Sequence, residues 1–172
     1  MSDTAKPDDD ATIFQRHRAA GNAAFDRERF IEASHAYSLA LESWERLPKK
    51  STHDACKVRT NRAAAWCKRK KWFEAMEDCS WVIARPLEAG PRTVAKALFR
   101  RAFAHEAIGD AEAAEADLRA AAKICPNDQL IALGLKNLES VFHIAVVLDR
   151  ASPEVLARQK RYKRFCPETR SR

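Results

Sequence analysis

Residues 61–82 read NRAAAWCKRKKWFEAMEDCSWV, and the spacing of small residues in this stretch decides the fold. Ala63 precedes Ala75 by twelve positions, Cys79 follows Ala75 by four, and Val82 follows it by seven. The same ladder recurs upstream as Gly21, Ala33, Tyr37 and Ala40, and downstream as Ala102, Ala114, Leu118 and Ala121. Small, small, packable, small is the signature of two antiparallel helices that touch where their side chains are short. Ala33 and Ala75 are 42 residues apart, and Ala75 and Ala114 are 39 apart. Self-similarity at a period of roughly 20–50 residues marks a stacked array whose units bury their apolar faces against one another.

The ladder resembles the tetratricopeptide repeat, a helix–turn–helix unit of about 34 residues. The longer spacing here falls in polar or proline-containing stretches, 48–51 and 86–91, which read as extended loops or lengthened helix ends. The spacing predicts first and second helices of each pair at about 12–27 and 30–47, 52–69 and 72–84, and 91–109 and 111–124. Pro91 suits a first helical turn and Gly109 a stop. Asn127 or Asp128 caps a seventh helix, with Ile131, Leu135, Leu138, Phe142, Ala145 and Leu148 along one stripe. Repeat arrays need such a helix to cover the last core face. Ser152, Pro153 and Glu154 then open a short basic helix to about Phe165. The expected fold is all-α: three helix pairs in 11–148 with a capping helix, preceded by a disordered acidic stretch (1–10) and followed by a basic tail (149–172).

Composition agrees. The chain has 172 residues, 46% of them apolar, enough for one core. Four glycines, many alanines and no alternating Val/Ile/Thr runs favour helix. No apolar run reaches the roughly 18 residues of a membrane span, and the first twenty residues contain no signal-peptide core, so a soluble, cytoplasmic protein is expected. Five cysteines (56, 67, 79, 125, 166) are odd in number and form no C-x-x-C, so reduced packing thiols are expected, not disulfides or zinc. The histidines (17, 35, 53, 105, 143) have no metal-ligand spacing, and phosphate-loop and nucleophile-elbow motifs are missing. No enzyme, metal, cofactor or small-molecule substrate is expected.

The candidate chemistry lies on the first helix of each pair. Arg18 and Asn22 are four apart and share a face, as do Lys96 and Arg100, with Asn61 on the helix between. Three cations and two carboxamides lining one concave side make a site for clustered carboxylates, since arginine forks onto a carboxylate, lysine supplies a point charge and asparagine also holds peptide backbone. Here the likeness narrows to the carboxylate-clamp subclass, which carries Lys-x-x-x-Asn, Asn and Lys-x-x-x-Arg on three successive first helices. Four of the five positions match, and Arg18 stands where lysine is usual. The resemblance implies binding of the Glu-Glu-Val-Asp C-terminus of heat shock protein 90 or 70 by a co-chaperone adaptor. The alternative is a repeat scaffold that binds a different peptide.

Arg62 and Arg101 read as supporting or surface residues. Phe25, Trp66, Phe99 and Phe103 read as core, with one or two available to a ligand's apolar side chain. Trp72, Phe73 and Trp81 are expected between helices. The net charge of +7 sits mostly in residues 150–172, which carry eight Lys/Arg against two Glu. This tail is read as a solubilising end, as an arm for an acidic protein, RNA or a membrane surface, or as a segment docked on the seventh helix through Val155, Tyr162 and Phe165. Nucleic acid is expected at most through this tail.

Overall fold

A computed structural model describes residues 9–148 of the chain, with side chains described to residue 138. The expected N-terminal disorder before residue 9 and the basic tail helix lie outside the described residues. Among the described residues the chain is all-helical, in the order α1 (Asp10–Asp26), α2 (Phe30–Arg46), α3 (Thr52–Lys68), α4 (Trp72–Ile83), α5 (Pro86–Ala89), α6 (Pro91–Ala107), α7 (Ala111–Ile124) and α8 (Gln129–Leu148). The pairs α1/α2, α3/α4 and α6/α7 stack in sequence, α3 lies against α6, and α8 packs on α7.

All twelve ladder positions are buried, from Gly21 to Ala121. Where the first repeat has the bulkiest member, Tyr37, its partner must be the smallest: a Cβ on Gly21 would lie 2.5 Å from Tyr37 Cε1. The starts of α1, α3 and α7 carry side-chain caps. Asp9 Oδ1 accepts from Thr12 N (2.8 Å), Ser51 Oγ from Asp54 N (3.3 Å) and Asp110 Oδ1 from Ala113 N (3.1 Å). The Asp9 cap starts α1 two residues earlier than the apolar periodicity indicates. The stretch 86–91, read as an extended loop or a lengthened helix end, contains the separate single turn α5, which has Pro86 at its start and buries Ala89. On α8, Ile131 and Leu138 are buried and Leu135 packs on the core as expected. The side chains of Phe142, Ala145 and Leu148 lie outside the described residues.

The three turns within pairs share one construction. Glu28, Lys70 and Gly109 have φ of 58°, 58° and 83°. The next amide closes back five residues, from Arg29 N to Ala24 O, Lys71 N to Trp66 O and Asp110 N to His105 O, each 2.9 Å. Only the third turn uses the residue that adopts this backbone freely. Left-handed backbone costs a side-chain-bearing residue about 1–2 kcal/mol, and glycine loses about 0.5–1 kcal/mol of that through backbone entropy. Lys70→Gly is therefore expected to raise stability by about 0.5–1 kcal/mol, read as a higher urea midpoint at unchanged slope. An unchanged or lower midpoint would contradict this account of the turn.

Arg62 and Arg101 are structural. Arg62 on α3 forks onto the buried Asp78 of α4, with Nε and Nη2 each 2.7 Å from its oxygens, while its Nη1 donates to Ser38 Oγ on α2 (2.9 Å). Arg101 on α6 repeats this with Asp117 on α7 (2.8 and 2.7 Å) and Ser80 on α4 (3.0 Å). Each arginine thus joins its own pair to the preceding one. Arg59 adds a third donor to Asp78 (3.0 Å) and stacks over Trp81, which itself meets Trp44 edge-on at 6.3 Å.

Trp72 and Trp81 pack on the core as expected, but Phe73 does not: it is half exposed. As the second residue of α4 it falls one position off the stripe formed by Trp72, Ala75, Met76 and Cys79. Phe103 is also half exposed, edge-on to Trp72 at 5.9 Å. Cys56, Cys67 and Cys79 are buried free thiols. Burial pushes the pKa of all three up, that of Cys67 to about 11. Among the described residues no cluster of His, Cys, Asp and Glu is placed to hold a metal, and no helix is long and apolar enough to cross a membrane.

Candidate functional site

Asn22, Asn61 and Arg100, one from the first helix of each pair, meet in a single depression of about 340 Å³, with Tyr37 and Phe25 in its wall. Their positions are fixed by hydrogen bonds. The Tyr37 hydroxyl donates to Asn22 Oδ1 (2.8 Å), and Asn61 Nδ2 donates to the same oxygen (3.2 Å). Burial pushes the Tyr37 hydroxyl up to about 12, and the charge of Asp26 adds to the rise, so it stays a neutral donor near pH 7. With its oxygen committed twice, the Asn22 amide group is left to donate outward. Arg100 Nη1 donates to the Thr60 carbonyl of α3 (2.8 Å), and burial lowers the guanidinium pKa from its usual value. A guanidinium remains charged near pH 7 even so.

The other two sequence-derived residues sit differently. Lys96 is exposed one turn before Arg100, with no hydrogen bond or ion pair among the described residues, and lines a second depression of about 630 Å³ that shares Arg100 with the first. Arg18, one turn before Asn22, lies 3.6 Å from Asp54 Oδ1 on α3 and lines neither depression. The groove therefore holds two carboxamides and a half-buried cation together, an unpaired cation beside them, and a third cation already facing a carboxylate.

Sequence reasoning missed Asp26, which lies four residues past Asn22 and lines the same depression. The i, i+4 spacing that grouped Arg18 with Asn22 reaches Asp26 on the next turn. It also missed Tyr37 as the residue that orients Asn22. Phe25, read as core with possible ligand contact, does line the groove. Chemically the site offers amide, guanidinium and ammonium donors along an open channel, a set that suits carboxylates and extended peptide backbone.

No family model matches the chain. It is 34% identical over 94 residues to the mitochondrial import receptor subunit TOM70 of Rattus norvegicus, a match covering 55% of this chain and 14% of the relative. The chain thus spans about a seventh of that relative's length. The TPR domain of Arabidopsis OM64 superimposes with a TM-score of 0.64 at 22% identity, covering 76% of this chain and 98% of that domain. The myosin chaperone UNC-45 from C. elegans, solved in complex with an Hsp90 peptide, aligns with a TM-score of 0.63 at 30% identity over 76% of this chain and 14% of that one. Helix order, the buried ladder and these likenesses agree: the chain has the fold of a tetratricopeptide-repeat domain.

Proposed function

We propose that the groove binds the free acidic C-terminus of a partner protein, in the manner of a carboxylate clamp, and that the chain acts as a co-chaperone adaptor. The ligand class is the Glu-Glu-Val-Asp terminus of heat shock protein 90 or 70. The observation that carries this reading is the meeting of Asn22, Asn61 and Arg100 in one depression with unpaired Lys96 one turn away. The similar UNC-45 structure, which holds an Hsp90 peptide, supports it. Free buried thiols suit a reducing compartment, so the proposed location is cytoplasmic. Calorimetric titration with chaperone C-terminal peptides tests the proposal: micromolar binding is expected, lost when the terminal aspartate is removed. Equal affinity for both peptides, or none for either, rules the clamp out.

Asp26 favours a second reading, a scaffold selecting a less acidic peptide, because it places a carboxylate among the donors. The two readings part on one substitution. If the ligand is strongly acidic, Asp26→Asn removes a repulsion and raises affinity about twofold to fivefold, as expected for screened charges at an exposed site. A fall in affinity would mean that Asp26 instead receives a basic or hydroxyl group of the ligand.

A further inference from the structure

The turn between α3 and α4 carries four cations in a row, Lys68, Arg69, Lys70 and Lys71, followed by Trp72 and Phe73. The turn between α1 and α2 lies alongside: Lys68 Nζ sits 5.9 Å over the Phe30 ring, and Arg69 Nη1 donates to Ser34 Oγ (2.7 Å). Residues 27–32 and 68–74 together present six Lys/Arg against three Glu. Two of those acids are matched, Glu32 by Arg29 (3.1 Å) and Glu74 by Lys71 (3.7 Å). Arg27, Lys68 and Lys70 are exposed and have no ion pair among the described residues. The same edge holds two protruding apolar side chains. Ile31 and Phe73 occupy one repeat position, second in α2 and in α4, and are 69% and 51% exposed. The third repeat places Glu112 there and carries no cation in residues 107–112, so the basic, apolar edge belongs to the first two turns.

We infer that this edge docks peripherally on an anionic lipid surface, with the cations against the headgroups and Ile31 and Phe73 entering the boundary between headgroups and acyl chains. Charge complementarity sets the sign of the partner, and the protruding apolar side chains set its class. A single-stranded nucleic acid takes open ring faces for its bases. The neighbouring rings are already in use: Phe30 meets Phe25 edge-on (5.3 Å), Arg69 covers Trp66 (4.7 Å) and Phe103 meets Trp72 edge-on (5.9 Å). A nucleic-acid duplex would leave Ile31 and Phe73 without a role, whereas acyl chains bury both. Asn61 stands about two turns up α3 from Lys68, so the surface is distinct from the groove and does not depend on what the groove binds.

The test sediments the full chain with vesicles of phosphatidylcholine alone or mixed with phosphatidylserine. Binding is expected to the mixed vesicles only, and to weaken as salt rises. The first repeat shows which substitutions the turn accepts: it carries Asp26 and Glu28 where the second has Lys68 and Lys70, and Glu28 and Lys70 share a φ of 58°. Lys68→Asp combined with Lys70→Glu is therefore expected to keep the melting temperature and to lower affinity for mixed vesicles about tenfold or more. Phe73→Ser leaves every charge in place and is expected to lower it about threefold to tenfold. In bicelles, a spin-labelled lipid is expected to broaden the methyl resonances of Ile31 and to spare those of Ile83 at the far end of α4. Residues 150–172, with eight Lys/Arg and two Glu, are present in every variant and so do not produce these differences. Unchanged vesicle affinity in the doubly charge-reversed variant overturns the inference and assigns any binding to those residues. Loss in that variant with no effect of Phe73→Ser and no broadening at Ile31 overturns docking by apolar insertion. If the charge reversal abolishes binding of duplex RNA and leaves vesicle binding intact, the edge is a nucleic-acid surface and the inference is wrong.

Discussion

Replacing Asp78 by alanine is expected to destabilise the fold by about 3–5 kcal/mol, a large share of the roughly 5–15 kcal/mol of a typical domain. The carboxylate is buried and accepts from Arg59 and from both arms of Arg62, so its removal strands two guanidinium groups that are each less than a fifth exposed. The cost comes from the unpaired cations more than from lost attraction. The repeat alignment provides a control: the first repeat carries Ala20 and Ala36 where the second has Arg62 and Asp78. A pair of alanines therefore packs in this frame. Arg62→Ala combined with Asp78→Ala is expected to be less damaging than Asp78→Ala alone, a coupling that urea denaturation of the full double-mutant cycle reads out. A loss below about 1 kcal/mol for the single variant would reduce the fork to an ordinary surface ion pair.

The second large effect is on binding. Lys96→Ala is expected to weaken acidic-peptide affinity by about 2 kcal/mol, roughly thirtyfold, with no change in melting temperature. Lys96 has no partner among the described residues, so its removal costs the folded chain nothing and the complex a charge-assisted bond. Arg100→Ala is expected to behave differently, with an affinity loss of about 2–4 kcal/mol accompanied by lower stability, because Arg100 also ties α6 to the Thr60 carbonyl. Arg100 is thus not a bare groove cation, and sequence alone gave no sign of this. Titration and thermal melts on both variants separate the roles. Unchanged affinity in the lysine variant sinks the clamp.

The fold was legible because its determinants are small residues at fixed offsets: Ala33, Ala75 and Ala114 mark the contacts between helices wherever the loops run. Less regular features were not. The turn α5 lies in a proline-bounded stretch with no apolar period, and Phe73 sits on an edge that a one-residue phase error turns inward. In the site, Asn22, Asn61 and Arg100 were recoverable from i, i+4 spacing and repeat position. The ion pair of Arg18 with Asp54 was not, because it depends on how closely α1 approaches α3. The forks to Asp78 and Asp117 were in principle visible, since Arg, Asp and Ser recur together at the repeat spacing, but only an alignment that weighs polar as well as small positions finds them.

Arg62 fastens α3 to both α2 and α4, and Arg101 fastens α6 to both α4 and α7, so the angle between neighbouring pairs is set before a ligand arrives. Asn22, Asn61 and Arg100 are likewise held by bonds within the protein. Ordering a mobile side chain on binding costs about 0.5–1.5 kcal/mol, and in this groove Lys96 is the side chain left to be ordered. On the proposed peptide-binding reading the channel is preorganised, and loosening a fork on the far side of α3 is expected to weaken recognition by letting the donors drift apart.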